Sequence, residues 1–220
     1  YGIENLDADI IADSIKQKNG KTTFNVIIDN QKFLVNLAVP GKYNVYNALA
    51  AISVCYTMGI NTEKVCNALS SFSGVKRRFD IKSKKNVMIV DDYAHHPVEV
   101  SNVIQATKKN WNKKLNVIFQ PHLFSRTKKF HKDFADALMK ADCVMITEIF
   151  GSREKNDISI SSQLIIDEMI KLKHPNVSFI TFDKIVDKVK SIATNEDIFL
   201  TMGAGNIWRC SEELGKFFND

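Results

Sequence analysis

Apolar and polar positions follow two rhythms along this chain, and the change between them falls near residue 79. Residues 9 to 39 alternate without helical period: Ile10, Ala12 and Ile15, then Phe24, Val26 and Ile28, then Phe33, Val35 and Leu37. Such alternation marks strands with one buried face. Asn19-Gly20 and Asp29-Asn30 separate the runs, and Asn-Gly is a strong hairpin signal, so the pattern predicts a three-stranded antiparallel meander. Pro40 and Gly41 then open a helix in which Ala48, Leu49, Ala51, Ile52 and Cys55 leave room for close packing, with Gly59 as its C-cap. Val65, Cys66 and Leu69 predict a second, short helix over about 62–70.

Beyond residue 80, short apolar runs alternate with helical patterns. The runs predict strands at 87–90, 115–119, 143–147, 177–180 and 197–201. That alternation implies an α/β fold with a mostly parallel, doubly wound sheet. Two domains are therefore expected, 1–79 and 80–220, with the turn Ser73-Gly74-Val75-Lys76-Arg77-Arg78-Phe79 leading from one to the other.

Three polar strings stand directly after predicted strands. The first is Asp91-Asp92-Tyr93-Ala94-His95-His96-Pro97-Val98-Glu99, where Pro97 suits the first turn of a helix and Glu99 its positive end. Gln120-Pro121-His122-Leu123-Phe124-Ser125-Arg126-Thr127 is the second, and it would lie at the same sheet edge, where His95, His122 and Arg126 could converge. Strand-to-helix junctions of this kind are where open α/β sheets bind ligands. Thr201-Met202-Gly203-Ala204-Gly205-Asn206-Ile207-Trp208 is the third; its glycines permit a tight turn and serve close packing at least as well as phosphate binding. In the first half, Asn44 and Asn47 share one face at a helix start. Such an amide pair suits the edge of a base, and Asn44 suits a helix cap equally.

Composition narrows the classes. Hydrophobic residues at 45% with 25% charged describe an ordinary globular chain of 220 residues, not a disordered one. The net charge of +5 is small and its cations are interleaved with acids, which argues against a nucleic-acid stripe and suits anionic small molecules. No apolar run reaches the ~18 residues of a membrane span, and Cys55, Cys66, Cys143 and Cys210 lack Cys-x-x-Cys spacing. A cytoplasmic protein with no membrane partner is expected. The chain starts at Tyr1 without Met, as if cut from something longer.

Two look-alikes are set aside. Gly20-Lys21-Thr22 imitates the end of a P-loop, but Ile15 stands where that motif needs a glycine, and a strand follows instead of a helix. Asp91, Asp92, His95, His96 and His122 suggest a metal hydrolase, but adjacent residues of an extended chain point to opposite sides, so neither pair readily supplies two ligands to one ion. A noncatalytic nucleotide-binding module remains as a second reading. His131 and His174 have no partners in sequence and read as surface or core residues.

Together the strings Pro40–Ala51, Gly74–Asp80, Asp91–Val100, Gln120–Thr127 and Thr201–Trp208 resemble the Mur ligases, ATP-dependent amide-bond enzymes of peptidoglycan precursor synthesis. The resemblance runs through the whole chain, in the family's order and spacing. It implies the last part of a central ATPase domain followed by a C-terminal domain of dinucleotide (Rossmann-like) fold. Within the family the strings fit the branch that adds L-alanine to UDP-N-acetylmuramate. The sibling that reattaches recycled tripeptide usually carries Phe at the Tyr93 position. By resemblance, Asn44 and Asn47 match residues contacting adenine, and Arg78 and Asp92 match residues around the ribose and phosphates of ATP. Tyr93, His95, His122 and Arg126 match the amino-acid end, with Arg78, His95 and Arg126 nearest the chemistry. The P-loop and the Mg2+ ligands are expected upstream, so the chain alone is not expected to turn over ATP. Three departures stand out: Tyr43 where the family often has His, Leu123 where some members have a second Arg, and Asn206 in place of a frequent Asp.

Overall fold

The computed structural model describes residues 1–219; Asp220, the last residue of the second expected domain, lies outside the described residues. The chain divides into two compact units, Tyr1–Gly74 with Ala106–Asn112, and Val75–Gln105 with the chain from Lys113 onward.

In the first unit β2 (Ile10–Lys18), β3 (Lys21–Ile28) and β4 (Gln31–Leu37) form the antiparallel meander read from the alternation. Lys18 pairs with Lys21 and Ile28 with Gln31, so both turns are two-residue loops. Asn19, Gly20, Asp29 and Asn30 all have positive φ, the geometry a right-twisted hairpin requires and these residue types tolerate. Gly20-Lys21-Thr22 thus belongs to a turn and a strand. A short β1 (Gly2–Ile3) adds a parallel edge beside β2, too brief for any alternation to reveal it.

The buried face of the meander, with Ala12, Phe24, Val26, Ile28, Val35 and Leu37, packs on α1 (Lys42–Thr57) through Val45, Ala48, Leu49 and Ile52, and on Cys66 of α2 (Thr62–Leu69). Gly41, not Asn44, is the N-cap of α1, and it offers no side chain. Asn61 caps α2 by accepting from Lys64 N at 2.9 Å. Met58 is the C-cap of α1, and Gly59, expected there, follows it at φ 75°, with Ile60 N bonded to Cys55 O and Gly59 N to Tyr56 O.

The second unit is built on six strands in the order β5-β6-β10-β7-β8-β9. These are β5 (Asp80–Ser83), β6 (Met88–Asp92), β7 (Lys114–Phe119), β8 (Cys143–Ile146), β9 (Val177–Phe179) and β10 (Asp197–Met202). All pair in parallel except β5, an antiparallel edge that the sequence did not announce because Asp80, Lys82 and Ser83 dilute its apolar content. The helices are α3 (Pro97–Asn110), whose residues from Ala106 onward belong to the first unit, α4 (Phe124–Leu138), α5 (Gln163–Lys171), α6 (Ile185–Ile192) and α7 (Trp208–Asn219). One sheet face carries Ile89, Phe199, Ile118 and Met145 against Ile185 and Val189 of α6 and Cys210 and Leu214 of α7. Alternate residues point to the other face, where Phe119 meets Phe134 of α4. Both faces are therefore covered, which is why these strands read as continuous apolar runs. Among the described residues no helix is long and apolar enough to cross a membrane.

Candidate active site

Three parallel strands, β6, β10 and β7, lie side by side, so the three polar strings emerge at one edge of the sheet. The acid pair does not follow the first strand as expected but ends it: Asp91 and Asp92 are the last residues of β6, opposite Thr201 and Met202, and are 0% and 2% exposed. A buried carboxylate must find donors. Asp91 takes Arg77 Nε at 3.1 Å and Thr201 Oγ1 at 2.8 Å. Asp92 accepts from the backbone N–H groups of Phe79 and Ala94, both at 2.8 Å. Burial raises the Asp91 carboxyl despite the Thr201 bond and the Arg77 charge. It pushes Asp92 up to about 6 against its two backbone bonds and the charge of Arg78. The oxygens of Asp92, expected by resemblance around the nucleotide, are bonded to the backbone N–H groups of Phe79 and Ala94, which gives the residue a part in holding this edge.

Arg77, which the sequence showed only as one of three cations, organises this edge. Its Nη2 donates to Gly203 O at 2.5 Å, its carbonyl accepts from Tyr93 N at 2.7 Å, and its guanidinium lies 4.8 Å from the Tyr93 ring centre. One residue thereby joins the boundary turn to the ends of β6 and β10. Arg78 is exposed and lies 5.6 Å from the same ring, so Tyr93 is flanked by two guanidinium groups.

The residues expected at the amino-acid end do come together. His95 and His122 meet edge to face at 5.9 Å, and Tyr93 lies 5.2 Å from His95. His95 Nδ1 lies 3.0 Å from Tyr93 O and 3.3 Å from Glu99 Oε2; both are acceptors, so Nδ1 carries the proton and Nε2 is the basic nitrogen. Glu99 also accepts from the His95 and His96 N–H groups at 3.0 and 3.1 Å, closing the start of α3. Burial raises its carboxyl, but these bonds and the His95 charge outweigh burial and hold it below its ordinary value. Arg126, in the first turn of α4, places Nη1 3.3 Å from His122 Nδ1. The His122 proton therefore sits on Nε2. Burial, then the neighbouring charges of Arg126 and His95, lower its pKa. Leu123 occupies the N-cap of α4 at φ 72° and adds no cation.

The third string is held by packing. Gln120 Nε2 donates to Asn206 Oδ1 at 2.8 Å, and Gln120 Oε1 accepts from Ile207 N at 3.2 Å. A Cβ on Gly203 would lie 2.6 Å from Gln120 O, and one on Gly205 would lie 2.6 Å from Phe150 Cγ. These glycines permit close approach of chain to chain, the second of the two roles considered for them. Phe150 itself escaped the sequence reading. It follows β8 after Thr147-Glu148-Ile149, and only the fold sets it almost parallel to the His122 ring, at 5.9 Å and 15°. Among the described residues no group of three or more His, Cys, Asp or Glu side chains is arranged to hold a metal ion.

In the first unit Asn44 Nδ2 donates to Pro40 O at 2.7 Å, and Asn47 Nδ2 to Asn44 Oδ1 at 3.2 Å. The two amides share one helix face as their spacing predicted, with Asn47 exposed. His174 is a core residue, 7% exposed, with Nε2 3.0 Å from Ala141 O.

Comparison with known proteins agrees with this layout. Residues 77–205 match the Mur ligase glutamate ligase domain, and residues 1–55 match the Mur ligase middle domain. The UDP-N-acetylmuramate–L-alanine ligase of Clostridium kluyveri is 41% identical over 217 residues, 96% of this chain and 47% of that protein. In the crystal structure of the UDP-N-acetylmuramate-alanine ligase of Thermotoga maritima, 47% of the chain superposes on 99% of this one, with TM-score 0.82 and 30% identity. The murein peptide ligase of Psychrobacter arcticus shares the fold, with TM-score 0.67 and 23% identity over 100% of this chain and 46% of its own. The chain spans about half the length of the curated relatives it matches. With the glutamate ligase domain alone accounting for more than half of its residues, this chain belongs to the Mur ligase family.

Proposed function

We propose that this chain is part of an ATP-dependent ligase that joins L-alanine to UDP-N-acetylmuramate, and that the ends of β6 and β7 form the amino-acid end of its site. The observation that carries this reading is the meeting of His95, His122 and Arg126: a guanidinium fork beside two imidazoles of opposite tautomer. Arg126 takes the alanine carboxylate, and its bond to His122 Nδ1 fixes the direction of the fork. His122, held neutral, donates from Nε2. His95, tied at Nδ1, offers Nε2 to the proton released as the amine attacks. Tyr93 borders the same space.

The reaction begins with transfer of the ATP γ-phosphoryl group to the muramoyl carboxylate. Attack of the alanine nitrogen on that acyl phosphate then forms the amide and expels phosphate, with ADP as the second product. Arg78, whose guanidinium is exposed where that of Arg77 is tied, is assigned to phosphoryl charge, and Asn44 and Asn47 to the edge of adenine. Mg2+ accompanies ATP in phosphoryl transfer; we assign it no ligand in this chain. The reading places the reaction in the cytoplasm, with the nucleotide-linked sugar and without nucleic-acid or membrane partners. The alanine-adding branch is favoured over the tripeptide-recycling one because identity to the Thermotoga maritima enzyme is 30%, against 23% for the murein peptide ligase.

Substitution of Arg126 in the full-length ligase tests the assignment. Arg126→Ala should raise KM for L-alanine about ten- to a hundred-fold, the ~1.5–3 kcal/mol of a charge-assisted bond, and leave KM for ATP within about twofold. Equal losses for both substrates would remove Arg126 from the carboxylate.

A further inference from the structure

We propose that Phe150 is the wall that limits the size of the amino-acid side chain this site accepts, an inference that rests on assigning Tyr93, His95, His122 and Arg126 to the amino acid. Phe150 is half-buried, so part of its surface remains open. Its ring lies almost parallel to that of His122, the residue that links Arg126 to His95. In this proposal the side chain of a small substrate, its carboxylate held by Arg126 and its amine facing His95, is set against the Phe150 ring.

The wall is rigid for reasons visible in the backbone. Phe150 N donates to Pro121 O at 2.8 Å, and Phe150 O accepts from Leu123 N at 3.0 Å, which locks the residue to the second polar string on both sides of His122. Glycines flank the ring's surroundings. Gly205 lies so close that an added Cβ would stand 2.6 Å from Phe150 Cγ, and Gly151 leaves the space where its own Cβ would meet Phe124 at 2.7 Å. On the side of Gly205 the ring consequently has no room to retreat from a larger substrate. A packed wall of this kind discriminates by volume, and one methylene in a hydrophobic pocket is worth about 10- to 200-fold in kcat/KM.

Competition between L-alanine and L-2-aminobutyrate, which differs by one methylene, measures the wall in the full-length enzyme. Phe150→Ala should raise the ratio of kcat/KM for L-2-aminobutyrate to that for L-alanine by about tenfold or more. Phe150→Leu, which keeps an apolar side chain for folding but removes the ring edge, should raise the ratio by a smaller factor. A ratio unmoved in either active variant, with both substrates losing equally, would overturn the inference and leave the ligase reading intact. A wild-type enzyme that ignores L-alanine would overturn both.

Discussion

Two groups of polar residues stand a few positions apart at the same sheet edge, and the structure treats them oppositely. Asp91 and Asp92 are buried, and each carboxylate oxygen that accepts a bond accepts it from the protein's own Arg77, Thr201, Phe79 or Ala94. Tyr93, His95, His122 and Arg126 are only half-buried and meet one another in a chain. Charged residues beside a site thus divide into those that hold the frame and those that remain able to meet a ligand. Burial of the acids separates them, and their residue type does not. The division predicts that substitutions in the first group lower stability, whereas those in the second change kinetics.

The largest expected effect is on the frame. Arg77→Ala leaves Asp91 as a buried charge with one hydroxyl donor and releases Gly203 O, and removing one partner of such a pair costs about 3–5 kcal/mol. Urea unfolding of this chain, followed by tryptophan fluorescence, measures it. A loss below about 1 kcal/mol would mean that Arg77 is no more structural than Arg126, and the contrast between the groups would collapse.

Next in size is the pH dependence carried by Asp92. Its folded pKa is raised to about 6 by burial, above the ordinary value near 4, so the folded state binds the proton more tightly than the unfolded. The contribution is fully present below about pH 4 and is lost as pH rises through about 6, to a total of about 3 kcal/mol. Asp92→Asn cannot titrate, although its amide nitrogen faces one of the two backbone donors. The stability of wild type relative to Asp92→Asn should therefore fall by most of that amount between pH 4.5 and 7.5. A difference that stays flat with pH would show that Asp92 remains solvated.

The extent to which this was legible in the sequence follows the same physics. Continuous apolar runs such as Leu115–Phe119 and alternating runs such as Phe24–Ile28 report burial directly, and the strands appear where those runs are. The convergence of His95, His122 and Arg126 was also legible, because parallel strands bring their following loops to one edge. Arg77 and Phe150 were not. A cation in a run of three looks solvated until its carboxylate partner 14 positions on is known to be buried, and a phenylalanine after a strand looks like core until a neighbouring loop places a histidine beside it. Edge strands β1 and β5 were missed because edges need little apolar content. The burial of Asp92 was not legible either, because only the fold supplies the N–H groups of Phe79 and Ala94 that satisfy a buried carboxylate.

The smallest expected effect falls on Glu99, which belongs to both groups. Its Oε2 accepts from the His95 and His96 N–H groups, as a frame residue does, and lies 3.3 Å from His95 Nδ1 within the cluster. Its side chain is 38% exposed, so solvent screens the charge and the capping bonds carry most of its worth. Glu99→Ala removes the helix-start acceptor and should cost about 1 kcal/mol, whereas Glu99→Gln keeps an oxygen for the same N–H groups and should cost less than about half of that. Because the folded pKa is lowered, the stability owed to the charge is present above the unfolded pKa of ~4.3 and lost as pH falls through the folded value. The gap between wild type and Glu99→Gln should therefore close on acidification below about pH 4, the reverse of the Asp92 behaviour. Parallel unfolding curves of the three proteins from pH 3.5 to 7 decide the matter: equal losses for Ala and Gln at neutral pH would mean that Glu99 acts through its charge, not as a cap, and move it wholly into the second group.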